Sequence, residues 1–256
     1  MLIESLQNEK IKRLTKLLSK NQERKKAGVF IVEGQQENVR ALQFGNQPEE
    51  FFVCETIFNG NFPDAKIHFV SEKIYEKIAY RGTTEGIIGI YMSENKTLKD
   101  FVPKENSSVI ILESVEKPGN LGAILRSCEA FGIDALIITD PKTDFYNPNV
   151  IRSSVGCLFG MNIFSASNED TFAFLKINGY NVLTTFMSDD AKNIQEKNLK
   201  NKSAVLFGTE HSGLSDFWKD KGENVLIPMS GTIDSLNLSN AAAICCYEIL
   251  RQKSEK

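Results

Sequence analysis

Beyond residue 108 the chain alternates short apolar runs, rich in valine, isoleucine and leucine, with stretches of helical periodicity. Strands that alternate with helices in this way are typical of a parallel sheet that is covered by helices. In such sheets, ligands bind beyond the carboxyl ends of the strands. The sequence therefore predicts an α/β domain whose functional residues lie in the loops that follow its strands.

The predicted domain spans residues 108–256. Its predicted strands are residues 109–112, 135–139, 162–165, 182–186, 204–207 and 225–229. Its predicted helices are residues 120–131, 150–159 and 171–176, with a last helix from about residue 240. The sequence contains no internal repeat and no low-complexity tract.

A smaller α/β unit is predicted for residues 1–92. Its first helix carries Ile11, Leu14, Leu17 and Leu18 on one face and is expected to end near residue 27. The other predicted elements are strands at residues 29–32, 51–53, 67–70 and 87–91, and helices at residues 36–44 and 72–78. Residues 93–107 are polar and contain Pro103, so we expect a linker there.

The first helix is basic, whereas the rest of the chain is acidic. Residues 1–27 hold eight lysines and arginines against three glutamates, a net charge of +5, although the whole chain carries −3. A basic segment on an acidic body is typical of a surface that contacts phosphate groups. We predict such contacts for Lys12, Arg13, Lys16 and Arg24, and the alternative is a solvated helix face.

The composition excludes several classes of protein. With 41% hydrophobic and 25% charged residues, the chain is typical of a soluble globular protein, and no apolar stretch is long enough to span a membrane. No secretory signal is recognisable at the start, so we expect a cytoplasmic protein. The five cysteines form no CxxC pair, and only His68 and His211 are histidines. We expect buried reduced thiols and no metal site, and a Ser-His-Asp triad would have to use one of these histidines.

Three segments of the larger domain place glycine or polar residues after a predicted strand. The first, residues 116–126, reads Glu-Lys-Pro-Gly-Asn-Leu-Gly-Ala-Ile-Leu-Arg. It is neither a GxGxxG turn nor a P-loop, because no Gly-Lys-Ser/Thr follows it. Taken alone, it is also compatible with a Pro-Gly turn, a helix cap at Asn120 and a surface arginine at Arg126.

The second segment begins at Gly208, where a buried strand runs directly into Gly-Thr-Glu. A glycine there lets a backbone approach a ligand closely, and Glu210 places a carboxylate at the strand tip; an ordinary glycine-rich turn is the alternative. The third segment contains Ile-Pro-Met-Ser-Gly at residues 227–231 and Ser-Leu-Asn-Leu-Ser-Asn-Ala at residues 235–241. Because Pro228 cannot donate to a strand ladder, we expect this strand at or near a sheet edge.

Together, and in this order, the three segments closely resemble the signatures of the SpoU (TrmH-like) family of RNA ribose 2′-O-methyltransferases, members of the knotted SPOUT superfamily. The matching patterns are N-x-G-x-x-x-R, F-G-x-E-x-x-G-L and I-P-M-x-G-x-x-x-S-L-N-x-S. The resemblance covers about residues 108–256. The basic helix and the following Phe-Ile-Val-Glu-Gly at residues 30–34 resemble the small ribosomal-protein-like substrate-binding domain of such enzymes.

The resemblance implies a homodimeric RNA methyltransferase that uses S-adenosylmethionine, needs no metal and has a trefoil knot in its catalytic domain, although knots are almost absent from other proteins. The methyl-transfer site is assigned by the resemblance to Arg126, Glu210, Asn120 and Asn237. The cofactor pocket is assigned to Gly208, Ile227, Met229, Ser235 and Leu236. Ser153 and Ser154 match a weaker family element or cap a helix, and His211 is expected to be a polar neighbour of the pocket.

A ribose 2′-hydroxyl is a poor nucleophile at neutral pH, so methyl transfer needs an in-line approach and help in removing a proton. The family pattern gives that task to Arg126, but a guanidinium is effectively always protonated. We therefore expect Arg126 to clamp the target phosphate and hydroxyl, with proton removal through it left open. Glu210 is expected to orient Arg126.

Ribosomal RNA is the expected substrate, because a separate recognition domain precedes the catalytic one; transfer RNA is the alternative. A non-catalytic RNA-binding or ribosome-assembly protein on the same fold is a second alternative, which the joint presence of Arg126, Glu210 and Asn237 disfavours. A dehydrogenase-like enzyme would need a dinucleotide-binding turn, and no convincing one is present. The sequence names neither the RNA nor the methylated nucleotide.

Overall fold

The structure, a computed structural model, describes residues 2–61, 64–80, 85–94, 96–188 and 190–255. The chain divides into two compact units. The first consists of Met1–Asn95 and Asp144–Gly160, and the second of Lys96–Thr143 and Met161–Lys256. The segment Asp144–Gly160 lies between two strands of the second unit but is built into the first. The division into residues 1–92, 93–107 and 108–256 stays a prediction.

Helices and strands follow one another closely along both units. The helices are α1 (Glu9–Ser19), α2 (Asn21–Ala27), α3 (Gln35–Gln43), α4 (Glu72–Ile78), α5 (Pro118–Ala130), α6 (Pro148–Ser153), α7 (Asn168–Ile177) and α8 (Leu238–Ser254). The strands are β1 (Val29–Glu33), β2 (Pro48–Val53), β3 (Ile67–Phe69), β4 (Ile87–Met92), β5 (Ser108–Glu113), β6 (Ala135–Thr139), β7 (Asn162–Ala166), β8 (Asn181–Thr184), β9 (Lys192–Asn193), β10 (Ser203–Phe207) and β11 (Glu223–Leu226).

The first unit contains a four-stranded sheet in the order β1-β4-β2-β3. β4 runs antiparallel to β1 and to β2, and β2 runs parallel to β3. The apolar face of α1, formed by Ile11, Leu14 and Leu17, is buried in the core of this unit, as the spacing predicts. The single predicted helix is wrong in its length, because extended backbone at Lys20 (φ −124°, ψ 113°) separates α1 from α2.

Aromatic stacking fixes the segment Asp144–Gly160 within the first unit. The ring of Phe30 on β1 stacks on Tyr146 at 4.4 Å and on Phe159 at 5.7 Å between ring centroids. The helix predicted at residues 150–159 ends instead at Ser153. The chain leaves the helix because Val155 and Gly156 take left-handed conformations, with φ of 53° and 72°.

The second unit contains a seven-stranded sheet in the order β7-β6-β5-β10-β8-β11-β9, and every pairing in it is parallel. The predicted parallel α/β domain is confirmed. The central strands β5, β6 and β10 are buried along their whole length, which explains why they read as uninterrupted apolar runs.

Two predicted strands of this sheet are too long. β8 ends at Thr184 and β11 at Leu226, two residues before Pro228. Since β11 lies next to the edge strand β9, its predicted position near an edge is confirmed. The trefoil knot stays a prediction.

All five cysteines are buried free thiols, as predicted. A hydrogen bond with Cys246, reinforced by burial, raises the pKa of Cys128 well above its usual value. This thiol therefore stays protonated and is a poor nucleophile. Across the residues that the structure describes, no helix combines the length and the apolar character needed to cross a bilayer.

Candidate active site

The three sequence segments meet at the carboxyl edge of the parallel sheet. β5 and β10 are neighbours, with Leu112 paired to Phe207, so the loops after these two strands leave the sheet side by side. The loop after β5 leads into α5, and the loop after β10 carries Glu210. α8 packs against α5, and Asn237 at the start of α8 lies near Asn120 of α5.

A chain of polar contacts joins all three segments. The side-chain amide of Asn120 donates a hydrogen bond to Oε1 of Glu210, and the ammonium group of Lys117 lies 3.4 Å from the same oxygen. The side-chain amide of Asn237 approaches Oδ1 of Asn120 at 3.4 Å. The structure thus brings three of the four predicted methyl-transfer residues together, and it adds Lys117, which the sequence reasoning missed. Its only sequence signal is its place directly before Pro118.

Asn237 is also the N-cap of α8. Its Oδ1 accepts hydrogen bonds from the backbone N–H of Ser239 at 2.9 Å and from the Ser239 hydroxyl at 2.6 Å. The first of these bonds satisfies a backbone donor that a helix end would otherwise leave without a partner. The Asn237 side chain therefore ties the start of the helix to Asn120. Asn120 itself lies inside the first turn of α5 and is not its cap.

Gly208 is required by a close approach within its own loop. The backbones of Thr209 and Gly213 exchange two hydrogen bonds of 3.0 Å, which folds the loop back over Gly208. A Cβ atom at position 208 would overlap the backbone of Gly213 and Leu214. Any larger residue would therefore displace the loop that carries Glu210.

Arg126 stands apart from the polar chain. It is exposed on α5, and no hydrogen bond or ion pair joins its side chain to another residue within the described part of the chain. The expected contact between Arg126 and Glu210 is not present, because Glu210 is held by Asn120 and Lys117 instead. The guanidinium of Arg126 is consequently accessible to a ligand.

The predicted cofactor residues Ile227, Met229, Ser235 and Leu236 share one loop, between β11 and α8. Ile227 and Leu236 are half-buried, whereas Met229 and Ser235 are exposed. Among the described residues, no backbone hydrogen bond involves residues 227–236. The N–H and C=O groups of this loop therefore have no partners in the described backbone.

The predicted phosphate contacts differ in their accessibility. Lys16 is exposed. Lys12 forms a 2.9 Å ion pair with Glu9 and keeps 42% of its side chain exposed. Arg13 is engaged with Glu50 at 2.7 Å and with Glu49 at 2.9 Å.

Arg24 is buried, with 3% of its surface exposed. Its guanidinium donates to the carbonyl oxygen of Leu17 at 2.9 Å and pairs with Asp144 at 3.3 Å. A side chain enclosed in this way holds Asp144–Gly160 to the first unit and is not accessible to RNA. The predicted phosphate contact of Arg24 is therefore wrong.

The remaining expectations concern three polar residues. His211 is exposed in the loop after β10. The hydroxyl of Ser153 donates to the carbonyl oxygen of Asn149 at 2.6 Å, and that of Ser154 to the carbonyl oxygen of Ile151 at 2.8 Å. Both hydroxyls thus bond back onto α6, and both serines lie in the first unit.

Comparisons with known proteins match both parts of the chain. Residues 107–247 match the model of the SpoU rRNA Methylase family, and residues 8–89 match the MRM3-like substrate binding domain. These two matches, on a chain with a polar site at the carboxyl edge of its parallel sheet, define an RNA methyltransferase with a substrate-binding domain. The chain belongs to the SpoU rRNA methylase family, as its three segments predict.

Full-length relatives support this assignment. The 23S rRNA (guanosine(2553)-2'-O)-methyltransferase RlmP of Bacillus subtilis (strain 168) is 28% identical over 251 residues, which are 96% of this chain and 98% of the relative. An AdoMet-bound rRNA methyltransferase from Sinorhizobium meliloti has 25% identity and a TM-score of 0.89 over 98% of this chain and 97% of that one. A solved RNA 2'-O ribose methyltransferase has 33% identity and a TM-score of 0.86 over 99% of both chains.

Proposed function

We propose that this protein transfers a methyl group from S-adenosylmethionine to a ribose 2′-hydroxyl of ribosomal RNA. Family membership, together with the AdoMet-bound and 2′-O-methylating relatives, confirms the predicted class, an S-adenosylmethionine-dependent RNA 2′-O-methyltransferase. The site assignment rests on the contacts that join Glu210 to Asn120 and Asn120 to Asn237, and on the accessibility of Arg126 further along α5.

The loop of residues 227–236 fits the cofactor. Its backbone N–H and C=O groups have no backbone partners among the described residues, and Ile227, Met229 and Leu236 offer apolar surface suited to a purine ring. β11 lies two strands from β10, so the strand ends that precede this loop and Gly208 are about 10 Å apart, a span of nucleoside size. The cofactor supplies a methyl group activated by its sulfonium centre.

The chain's own residues position the nucleophile. Arg126 clamps a phosphate next to the target ribose and orients the 2′-hydroxyl, because a guanidinium donates two parallel hydrogen bonds to such a group. Lys117 offsets the charge of Glu210, which would otherwise repel the RNA backbone. Asn120 and Asn237 fix the position of the Glu210 carboxylate relative to the start of α8.

The first unit is proposed to hold RNA through lysines of α1 and α2. A cleft of about 380 Å³ between these helices is lined by Lys12, Lys16 and Lys26 together with Glu9 and Glu23. Lys16 and Lys26 are exposed and no ion pair joins them to an acid within the described part of the chain. Exposed lysines without an acidic partner can replace counterions on a phosphate backbone.

We propose ribosomal RNA because relatives that match nearly the whole chain, including its substrate-binding domain, bear names of rRNA methyltransferases. We propose a cytoplasmic location for the enzyme, together with this substrate. The experiment that tests the substrate compares 2′-O-methylation maps of total RNA from a deletion strain and its parent. Loss of one ribosomal site supports the proposal, loss of a transfer-RNA site supports the alternative substrate, and identical maps support a non-catalytic protein.

A homodimer through α8 completes the proposal. Ile244, Tyr247 and Leu250 follow one another at three-residue spacing along α8 and are 40%, 55% and 38% exposed. Large apolar side chains in a row on one helix are typical of an interface. Sedimentation of the wild type and of Tyr247→Lys tests this, because the charge should shift the protein toward the monomer.

A further inference from the structure

Glu113, the last residue of β5, is a buried carboxylate with only donors around it. It is 3% exposed. Its Oε2 accepts from the backbone N–H of Ser215 at 2.7 Å, and its Oε1 accepts from the Ser215 hydroxyl at 2.6 Å and from the side-chain amide of Asn168 at 2.7 Å. No cation pairs with it among the residues that the structure describes.

Two groups that can only donate fix the direction of one hydrogen bond to each oxygen of Glu113. One is the backbone N–H of Ser215. The other is the indole N–H of the fully buried Trp218, which donates to Oδ1 of Asn168 at 3.1 Å and so turns the Asn168 amide nitrogen toward Glu113. Both oxygens of residue 113 must therefore act as acceptors, which a carboxylate does and an amide does not.

The network anchors the loop that carries Glu210. This loop begins at the end of β10, folds back through the Thr209–Gly213 bonds and is then fastened at Ser215. Glu113 closes β5, the strand that leads into the Asn120 segment. The Glu113 carboxylate thus holds Ser215, at the end of the Glu210 loop, against the end of β5. The segment that contains Asn120 follows this strand.

We propose that Glu113 is a positioning residue for methyl transfer, setting the place of the Glu210 loop relative to Asn120 and to the cofactor-facing backbone. The inference rests on the proposed role of this loop in cofactor and nucleophile binding. Glu113 itself lies beneath the loop and acts through Ser215.

Glu113→Gln is the central variant. Whichever way the new amide turns, its NH₂ group faces either the Ser215 N–H or the Asn168 amide nitrogen, which Trp218 holds in place. A buried donor without an acceptor is costly, so the loop should shift. We expect the full-length variant to bind S-adenosylmethionine about tenfold more weakly, measured by calorimetry, and to lose kcat as well.

A second substitution tests the mechanism by rescue. In Glu113→Gln/Trp218→Phe the indole N–H is gone, so the Asn168 amide can turn over and accept from the new glutamine. Cofactor affinity should return to within about threefold of the Trp218→Phe single variant. Glu248→Gln is the control, since Glu248 is 5% exposed and bonded to Arg251 at the distant end of α8; it should lose stability without losing cofactor affinity.

The outcomes separate the two hypotheses. Equal cofactor affinity and kcat in Glu113→Gln and wild type, or absence of rescue in the double variant, would overturn the role of Glu113. If the wild type itself binds no S-adenosylmethionine, the proposed function fails first. Should Glu113→Gln not fold, Ser215→Ala decides, because it removes one donor and keeps the backbone bond; an affinity lowered about threefold supports the inference, and an unchanged affinity refutes it.

Discussion

The side-chain amide of Asn120 donates a hydrogen bond to the Glu210 carboxylate, although 90 positions separate the two residues in the sequence. The same carboxylate faces Lys117 at 3.4 Å. Asn120 and Lys117 therefore hold the Glu210 carboxylate at the sheet edge, and the Arg126 side chain stays accessible to RNA. Substitutions of Glu210 and Arg126 test this division of roles.

Glu210→Gln keeps an acceptor for Asn120 and removes the charge that faces Lys117. We expect kcat to fall by about tenfold to a hundredfold with cofactor affinity changed less than about threefold, because the loop backbone keeps its shape. Steady-state methyl transfer and calorimetry measure the two effects. Glu223→Gln is the matched control, since Glu223 pairs with Lys197 at the opposite end of β11, and it should leave both quantities unchanged.

Arg126→Ala should lower methyl transfer by at least about a hundredfold, because the guanidinium is assigned to the phosphate and the hydroxyl. Cofactor affinity should stay the same, since the side chain is exposed on α5 and bonds to none of the cofactor loops in the described structure. Arg126→Lys should recover little, because a single ammonium does not reproduce the guanidinium fork. A largely active lysine variant would show that positive charge alone suffices.

Lys16→Gln/Lys26→Gln should weaken RNA binding. The slope of log affinity against log salt concentration should become less steep by about 1.4 to 1.8, since each phosphate contact contributes about 0.7–0.9. The methylated nucleotide should not change, because phosphate contacts position RNA without reading its sequence. Filter binding at several salt concentrations gives the slopes. Lys73→Gln/Lys77→Gln removes two exposed lysines of α4 in the same unit, so parallel lines for the two double variants would identify the α1–α2 lysines as solvated surface.

Stability of the first unit should depend on Glu50 at acid pH. Burial raises the pKa of this carboxyl, but hydrogen bonds from His68 at 2.7 Å and from Lys66 at 3.2 Å outweigh it and hold the pKa below its ordinary value of 4.5. The ionised carboxylate therefore stabilises the fold above about pH 4.5, and this contribution is lost as the pH falls through the lowered pKa.

Glu50→Gln should consequently lower the free energy of unfolding by about 2 kcal/mol at pH 7 and flatten its decline between about pH 5 and 3. Urea unfolding across this pH range measures both effects. Glu76→Gln, on an exposed glutamate of α4, is the control. If the free energy of unfolding declined as steeply with falling pH in Glu50→Gln as in the wild type, Glu50 would not be the group responsible.

Local signals in the sequence were sufficient for much of the fold. The alternation of apolar runs with helical periodicity identified the parallel sheet, and the spacing of Ile11, Leu14 and Leu17 identified the buried face of α1. The errors lie at ends and breaks, at Lys20, Val155 and Pro228. At these positions a backbone dihedral angle or the missing N–H of a proline decides where the helix or strand ends, and the spacing of apolar residues carries no information about either.

The three functional segments were likewise recognised from their residues, but their mutual contacts were not. Lys117 and Glu113 carried no signal of their own, because a lysine before a proline and a glutamate closing a strand are ordinary. Their importance comes from their partners, Glu210 and Ser215, which lie about a hundred positions away in the sequence.

The sequence by itself determined which stretches become strands and which loops carry polar groups, since these depend on local propensity and on the period of apolar residues. Only the tertiary structure decided that β5 lies beside β10, that Arg24 is buried against Asp144 and that Asp144–Gly160 joins the first unit. The physical reason is that fully buried parallel strands present similar apolar faces. Their order is chosen by packing and long-range hydrogen bonding across the whole sheet, and that order places Asn120 against Glu210.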